Sequence, residues 1–191
     1  MRKFYYWENL IPIIFCGICF LNASCAYRLG SSDRGLPGGY RQVSVPMFKN
    51  YTMEPTIEKY FTNSLIQEFE RSKVALITDS ARSEVEIIGE ITSLSTTPDG
   101  IRETGKSLGT QLGSIMRLYL KAKITLRKQS DKSIIWEGEF TDERSFGASQ
   151  VLTPGVNTVN PLYNLSAKRQ NIELMAQNLM SQAYDRLTEN F

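Results

Sequence analysis

The sequence predicts an α+β fold, a two-layer sandwich in which two helices pack on one face of a mostly antiparallel or mixed sheet of four to five strands. Three observations carry this expectation. Between residues 114 and 128, Met116, Leu118, Leu120, Ala122, Ile124 and Leu126 alternate with Arg117, Tyr119, Lys121, Lys123, Thr125 and Arg127, the period of two that marks a half-buried strand. A polar turn at 129–133 leads into 134–142, where Trp136, Gly138 and Phe140 alternate with Ile135, Glu137 and Glu139, so the two segments read as a hairpin. Helical spacing appears on either side of this region, at Ile57, Phe61, Leu65 and Phe69 and again at Leu165, Ile172, Met175, Ala176, Leu179, Ala183 and Leu187, each set forming one buried stripe.

In chain order the elements read β-α-β-β-β-β-α, a succession that closes as helices on a sheet. Residues 40–45 form a short strand with Val43 and Val45 on one face, ended by Pro46, which has no amide proton to give a ladder. Pro55 suits a first helical turn, and the helix runs to about residue 71. Residues 74–78 form a second short strand. A longer one begins at Glu84, with Val85, Ile87, Gly89 and Ile91 alternating against Glu86, Ile88 and Glu90, and is expected to end before Pro98. The closing helix spans about 163–188. Segments 99–113 and 144–162 are rich in Gly, Ser, Thr and Asn and longer than compact connections need, so both are expected to be irregular. If the long strands pair antiparallel, the two segments share one end of the sheet, a plausible joint binding edge.

The N-terminus has a different character. Arg2 and Lys3 precede an apolar run at 10–21, then the small residues Ala23 and Ser24, then Cys25, the layout of a secretory signal ending at a lipid-acceptor cysteine. The apolar run is shorter than the roughly 20 residues of a spanning helix. Residues 1–24 are therefore expected to be a lipoprotein signal peptide, Cys25 the lipidation site, 25–39 a flexible tether rich in Gly, Pro and Ser, and 40–191 a single domain. Cys16 and Cys19 follow the bulky Phe15 and Ile18 and would leave with the signal. Ala26 after the cysteine resembles the sorting signal that sends Gram-negative lipoproteins to the outer membrane.

Composition limits the chemistry. The chain has 22 basic and 20 acidic residues, and removing Arg2, Lys3 and Glu8 leaves 20 and 19, a net charge of about +1 with no global pull toward a charged partner. It has no histidine, and the expected mature chain has no thiol beyond Cys25. Ser-His-Asp and Cys-His catalysis and most zinc sites are thereby excluded, and no cofactor is implied.

Candidate residues follow from the strand pattern. Arg117, Lys121, Lys123 and Arg127 share one face of a strand, where they can meet phosphates or form an ordinary solvated face partnered by Glu137 and Glu139 across the hairpin. Glu137 and Glu139 as paired catalytic carboxylates are better explained by that same charge alternation. The glycines at 105–113 lack the lysine placement and following helix of a phosphate-binding loop. No interleaving of bases with aromatics points to nucleic acid.

Several short stretches carry a family resemblance: Cys25-Ala26-Tyr27-Arg28-Leu29, Leu36-Pro37-Gly38-Gly39, VSVPMFKNYTMEP at 43–55, TNSLIQEFER at 62–71, and the segment 75–90 ending in Ile-Gly-Glu. Together with the element order they resemble the LPS-assembly lipoprotein family LptE. The resemblance implies a non-enzymatic outer-membrane lipoprotein, facing the periplasm or seated in a barrel lumen. It also implies an LptD-type β-barrel as the partner to be plugged and assembled, and lipopolysaccharide (LPS) as a ligand. The basic residues Arg117, Lys121, Lys123 and Arg127 would then be candidate contacts to barrel or LPS. The alternative is a lipoprotein acting as a structural adaptor of another envelope complex without glycolipid binding.

Overall fold

The computed structural model describes residues 34–104, 111–153, 156–157 and 161–189. The signal peptide, Cys25 and most of the expected tether lie outside the described residues. Among the described residues seven strands and two helices are laid out as β1 (Gln42–Ser44), β2 (Lys49–Asn50), α1 (Ile57–Ser72), β3 (Leu76–Ile77), β4 (Val85–Thr104), β5 (Gln111–Lys128), β6 (Ile134–Thr153), β7 (Val156–Asn157) and α2 (Pro161–Thr188). The sheet order is β3-β1-β4-β5-β6-β7, with β2 beside β4. β1 runs parallel to β3 and β4, β2 runs parallel to β4, and β4-β5-β6-β7 are antiparallel. This is the expected two-layer mixed arrangement, with β2 and β7 as additional two-residue strands.

The helical stripe of α1 lands as its spacing requires, with Ile57, Phe61, Leu65 and Phe69 all fully buried. The helix begins at Ile57, after Thr56 in a left-handed conformation (φ 67°), so Pro55 precedes the helix instead of opening it. α2 buries Ile172, Met175, Ala176, Leu179, Ala183 and Leu187, and also Met180 and Tyr184, while Leu165 in its first turns remains 39% exposed. Two contacts place the helices side by side and pointing the same way. Lys168 Nζ pairs with Glu54 just before α1, and the Phe69 and Tyr184 rings meet edge to face at 5.2 Å near the far ends. Beneath them lie Val85, Ile87 and Ile91 of β4, Leu118, Leu120, Ile124 and Leu126 of β5, and Phe140 of β6.

Two expectations are corrected. Segments 99–113 and 144–162 are not simply irregular: β4, β5 and β6 continue through 104, from 111 and through 153, in register from Thr104↔Gln111 and Gln111↔Val151 inward. Their Gly-, Ser- and Thr-rich composition hides them, although in β6 the alternating Phe146 and Ala148 are buried in the core. β4 also passes through Pro98 instead of ending before it. At this point β4 pairs only with β5, at Pro98↔Met116 beside a register shift, so the missing amide proton falls where an edge strand can spare it. Both extensions do lie at the end of the sheet away from the β5–β6 turn. Within the expected tether, Leu36 is only 3% exposed and Arg34 pairs with Asp185 at 3.3 Å, so residues 34–39 belong to the ordered domain.

Candidate functional site

Both helices cover one face, and among the described residues no element packs on the opposite face of β4-β5-β6. Strand alternation sends Arg117, Tyr119, Lys121, Lys123, Thr125 and Arg127 of β5 to it. The antiparallel registers set Thr97, Ser95, Ser93, Glu90, Ile88 and Glu86 alongside them on β4, and Ser145, Glu143, Thr141, Glu139 and Glu137 alongside on β6. The four basic residues predicted from sequence therefore share one surface, spaced along β5.

Their partners differ from those expected. Lys123 Nζ reaches Glu137 Oε1 at 2.9 Å, one step diagonal from its register partner Glu139. This hydrogen bond holds the Lys123 ammonium above its ordinary pKa. Arg127 donates from Nε and Nη2 to Glu86 Oε2 at 2.9 and 2.7 Å, and Lys132 Nζ approaches the same oxygen at 3.6 Å. Arg117 donates to Asp99 Oδ2 at 2.6 Å and lies 3.6 Å from Glu143. The Asp99 hydrogen bond, with a lesser one to Tyr119, raises its pKa further above the ordinary arginine range. Glu86 and Asp99 come from β4, which forms a hairpin with β5 through residues that were expected to be irregular. The acids at alternate β4 positions were the available signal.

Lys121 stands apart. It is exposed, and among the described residues it has no ion-pair partner within 4 Å. Of the four it is the one whose charge is free to meet an incoming anion without breaking an existing pair. Glu139 is its acidic counterpart, exposed and unpaired among the described residues. Glu137 and Glu139 lie on an open surface with Glu137 committed to Lys123, which does not resemble a carboxylate pair enclosing a substrate. No cluster of three or more metal-ligating residues occurs among the described residues. A groove of about 540 Å³ opens beside β1 and β3, lined by Ser44, Pro46, Leu76, Thr78 and Arg82 among others, and it contains none of the four bases.

Comparison with known proteins decides the family. The LptE (lipopolysaccharide-assembly) family model matches residues 40–189, nearly all of the described domain. The chain belongs to the LptE family. No relative was found among curated proteins. Among solved structures, a protein described as a neuraminyllactose-binding hemagglutinin homolog from Helicobacter pylori superposes with a TM-score of 0.52 at 11% identity, covering 85% of this chain and 92% of its own. At that identity it is evidence for the shared fold alone. A minor lipoprotein from Acinetobacter baumannii gives a TM-score of 0.45 at 12% identity, covering 78% of this chain and 91% of its own. The lipoprotein GNA1162 from Neisseria meningitidis gives 0.41 at 10% identity, covering 69% and 97%. LptE membership makes this chain a lipopolysaccharide-assembly lipoprotein of the cell envelope.

Proposed function

We propose that this LptE-family chain is a non-enzymatic outer-membrane lipoprotein, anchored through Cys25. In this reading it seats in the lumen of an LptD-type β-barrel, helps that barrel assemble and assists LPS insertion at the cell surface. The observation that carries the reading is the family match across residues 40–189. The bare sheet face supports it physically. A barrel lumen is polar, and a plug suited to it keeps its apolar residues beneath its own helices and presents ionic groups already satisfied by one another. Arg117, Lys123 and Arg127 are satisfied in this way.

Within this reading Lys121 is the primary phosphate contact, because its ammonium is exposed and uncommitted and charge-assisted hydrogen bonds to phosphate are strong. Lys123 contributes secondarily, at the cost of its pair with Glu137. Binding of purified LPS to the Lys121→Glu and Lys123→Glu variants tests this. The first should weaken binding more than the second and flatten its salt dependence. Wild-type LPS affinity in Lys121→Glu would remove the phosphate contact from the proposal.

A further inference from the structure

The two long edges of the sheet are built differently. Beyond its short pairing with β2 at Glu90 and Ile91, the outer side of β4 is interrupted by register shifts at Ile91/Ser93 and Pro98/Gly100 and by Pro98 itself. Bulges and prolines are standard obstacles to pairing with another strand. β6 has neither. It runs 20 residues without proline. Its register against β5 is continuous from Gln111↔Val151 to Leu126↔Trp136, with its one shift beside the turn. Its outer side pairs with β7 only at Leu152 and Thr153. Among the described residues, no strand covers the outer side of β6 from 134 to 148.

The side chains along that edge define what could add to it. On the bare face the row reads Glu137, Glu139, Thr141, Glu143 and Ser145, three acids and no base. Glu139 has no ion pair among the described residues, and Glu143 is reached at 3.6 Å by an Arg117 that is held more closely by Asp99. A strand added at the usual spacing of about 4.8 Å would set its alternate residues directly beside this row. Opposite charges in that position stabilise and like charges repel. A second copy docking β6 against β6 would bring acids against acids.

We propose that the outer edge of β6 is a strand-addition site for an extended segment of another protein carrying Lys or Arg at alternate positions. Main-chain hydrogen bonds would give the affinity, and Glu139 with Glu143, the acids of the row not held closely by a base of β5, the selectivity. The inference concerns the edge of the sheet and holds whichever protein supplies the strand.

The probes are three ten-residue peptides, one alternating Lys and Thr, one alternating Glu and Thr, and a Lys-Thr peptide N-methylated at alternate residues, each offered to the full chain in detergent. The Lys-Thr peptide should bind and slow amide hydrogen exchange within β6, and the Glu-Thr peptide should not bind. The N-methylated peptide keeps its charges but loses main-chain donors and should bind more weakly by about tenfold or more, the loss expected from several hydrogen bonds. Glu139→Lys/Glu143→Lys, checked for folding by circular dichroism, should reverse the preference toward the Glu-Thr peptide. The proposal is overturned by absence of Lys-Thr binding, by equal binding of the N-methylated peptide, by binding without slowed exchange in β6, or by β6-mediated dimers of the chain alone.

Discussion

Replacing Gly89 with alanine sets two effects of opposite sign against each other. Glycine inside a strand ordinarily costs about 0.5–1 kcal/mol relative to alanine, so at an unobstructed site Gly89→Ala would stabilise. Here a Cβ would lie 2.2 Å from Phe48 Cε2 and 2.3 Å from Cδ2 and Cζ, far inside contact distance. The ring has little freedom to retreat. Phe48 is 3% exposed, its centroid lies 6.1 Å from that of Phe61, and its backbone N–H donates to Thr62 Oγ1 at 3.0 Å. Overpacking of this kind costs about 1–3 kcal/mol, which outweighs the propensity gain. Urea unfolding followed by the fluorescence of Trp136, the one tryptophan outside residues 1–24, should show Gly89→Ala destabilised by about 1–2 kcal/mol. Phe48→Ala alone should cost about 3–5 kcal/mol. The double variant should cost less than the sum of the singles by about 1 kcal/mol or more, because removing the ring also removes the clash. A Gly89→Ala protein as stable as the parent, or strict additivity with Phe48→Ala, would refute the packing argument.

Other expectations follow from polar groups. Glu86, 8% exposed and holding Arg127 through two hydrogen bonds, should lose about 2 kcal/mol of stability as Gln in the same urea assay. The Tyr184 hydroxyl is buried without a hydrogen-bond partner among the described residues, so Tyr184→Phe should be neutral or stabilising by up to about 1 kcal/mol, and a clear loss would reveal a partner. The backbone N–H groups of Arg41 and Gln42, at 3.0 and 3.2 Å, hold the Glu84 carboxyl below its ordinary pKa of 4.5. A lowered folded-state pKa contributes stability above the unfolded value that is lost as pH falls through the folded one. Glu84→Gln should therefore lose stability less steeply than the parent below about pH 5 in acid titrations monitored by circular dichroism. An unchanged acid limb would contradict the contact.

Legibility in the sequence tracked how much of each element's stability comes from side-chain burial. The stripe Ile57-Phe61-Leu65-Phe69 and the alternation from Leu118 to Leu126 are fully or almost fully buried, and both were plain from spacing. The ribbon beyond Pro98 and Arg144 was not, since the Gly, Ser, Thr and Gln around the buried Phe146 and Ala148 dilute the period of two. Leu165 fitted the helical stripe yet stays partly exposed. The candidate bases were found as a set because one strand carries them all. Their partners Glu86 and Asp99 were missed because β4 was expected to end before Pro98, which hid its hairpin with β5, whereas Glu137 lies across the recognised β5–β6 hairpin.

A barrel-bound plug should travel with its barrel. Purifying the tagged, full-length lipoprotein in detergent from its native outer membrane, and identifying by mass spectrometry whatever accompanies it at equal stoichiometry, tests that most directly. A large LptD-type β-barrel should accompany it at one to one. A different envelope protein in its place, with no barrel, would rule out the plug and favour an adaptor role.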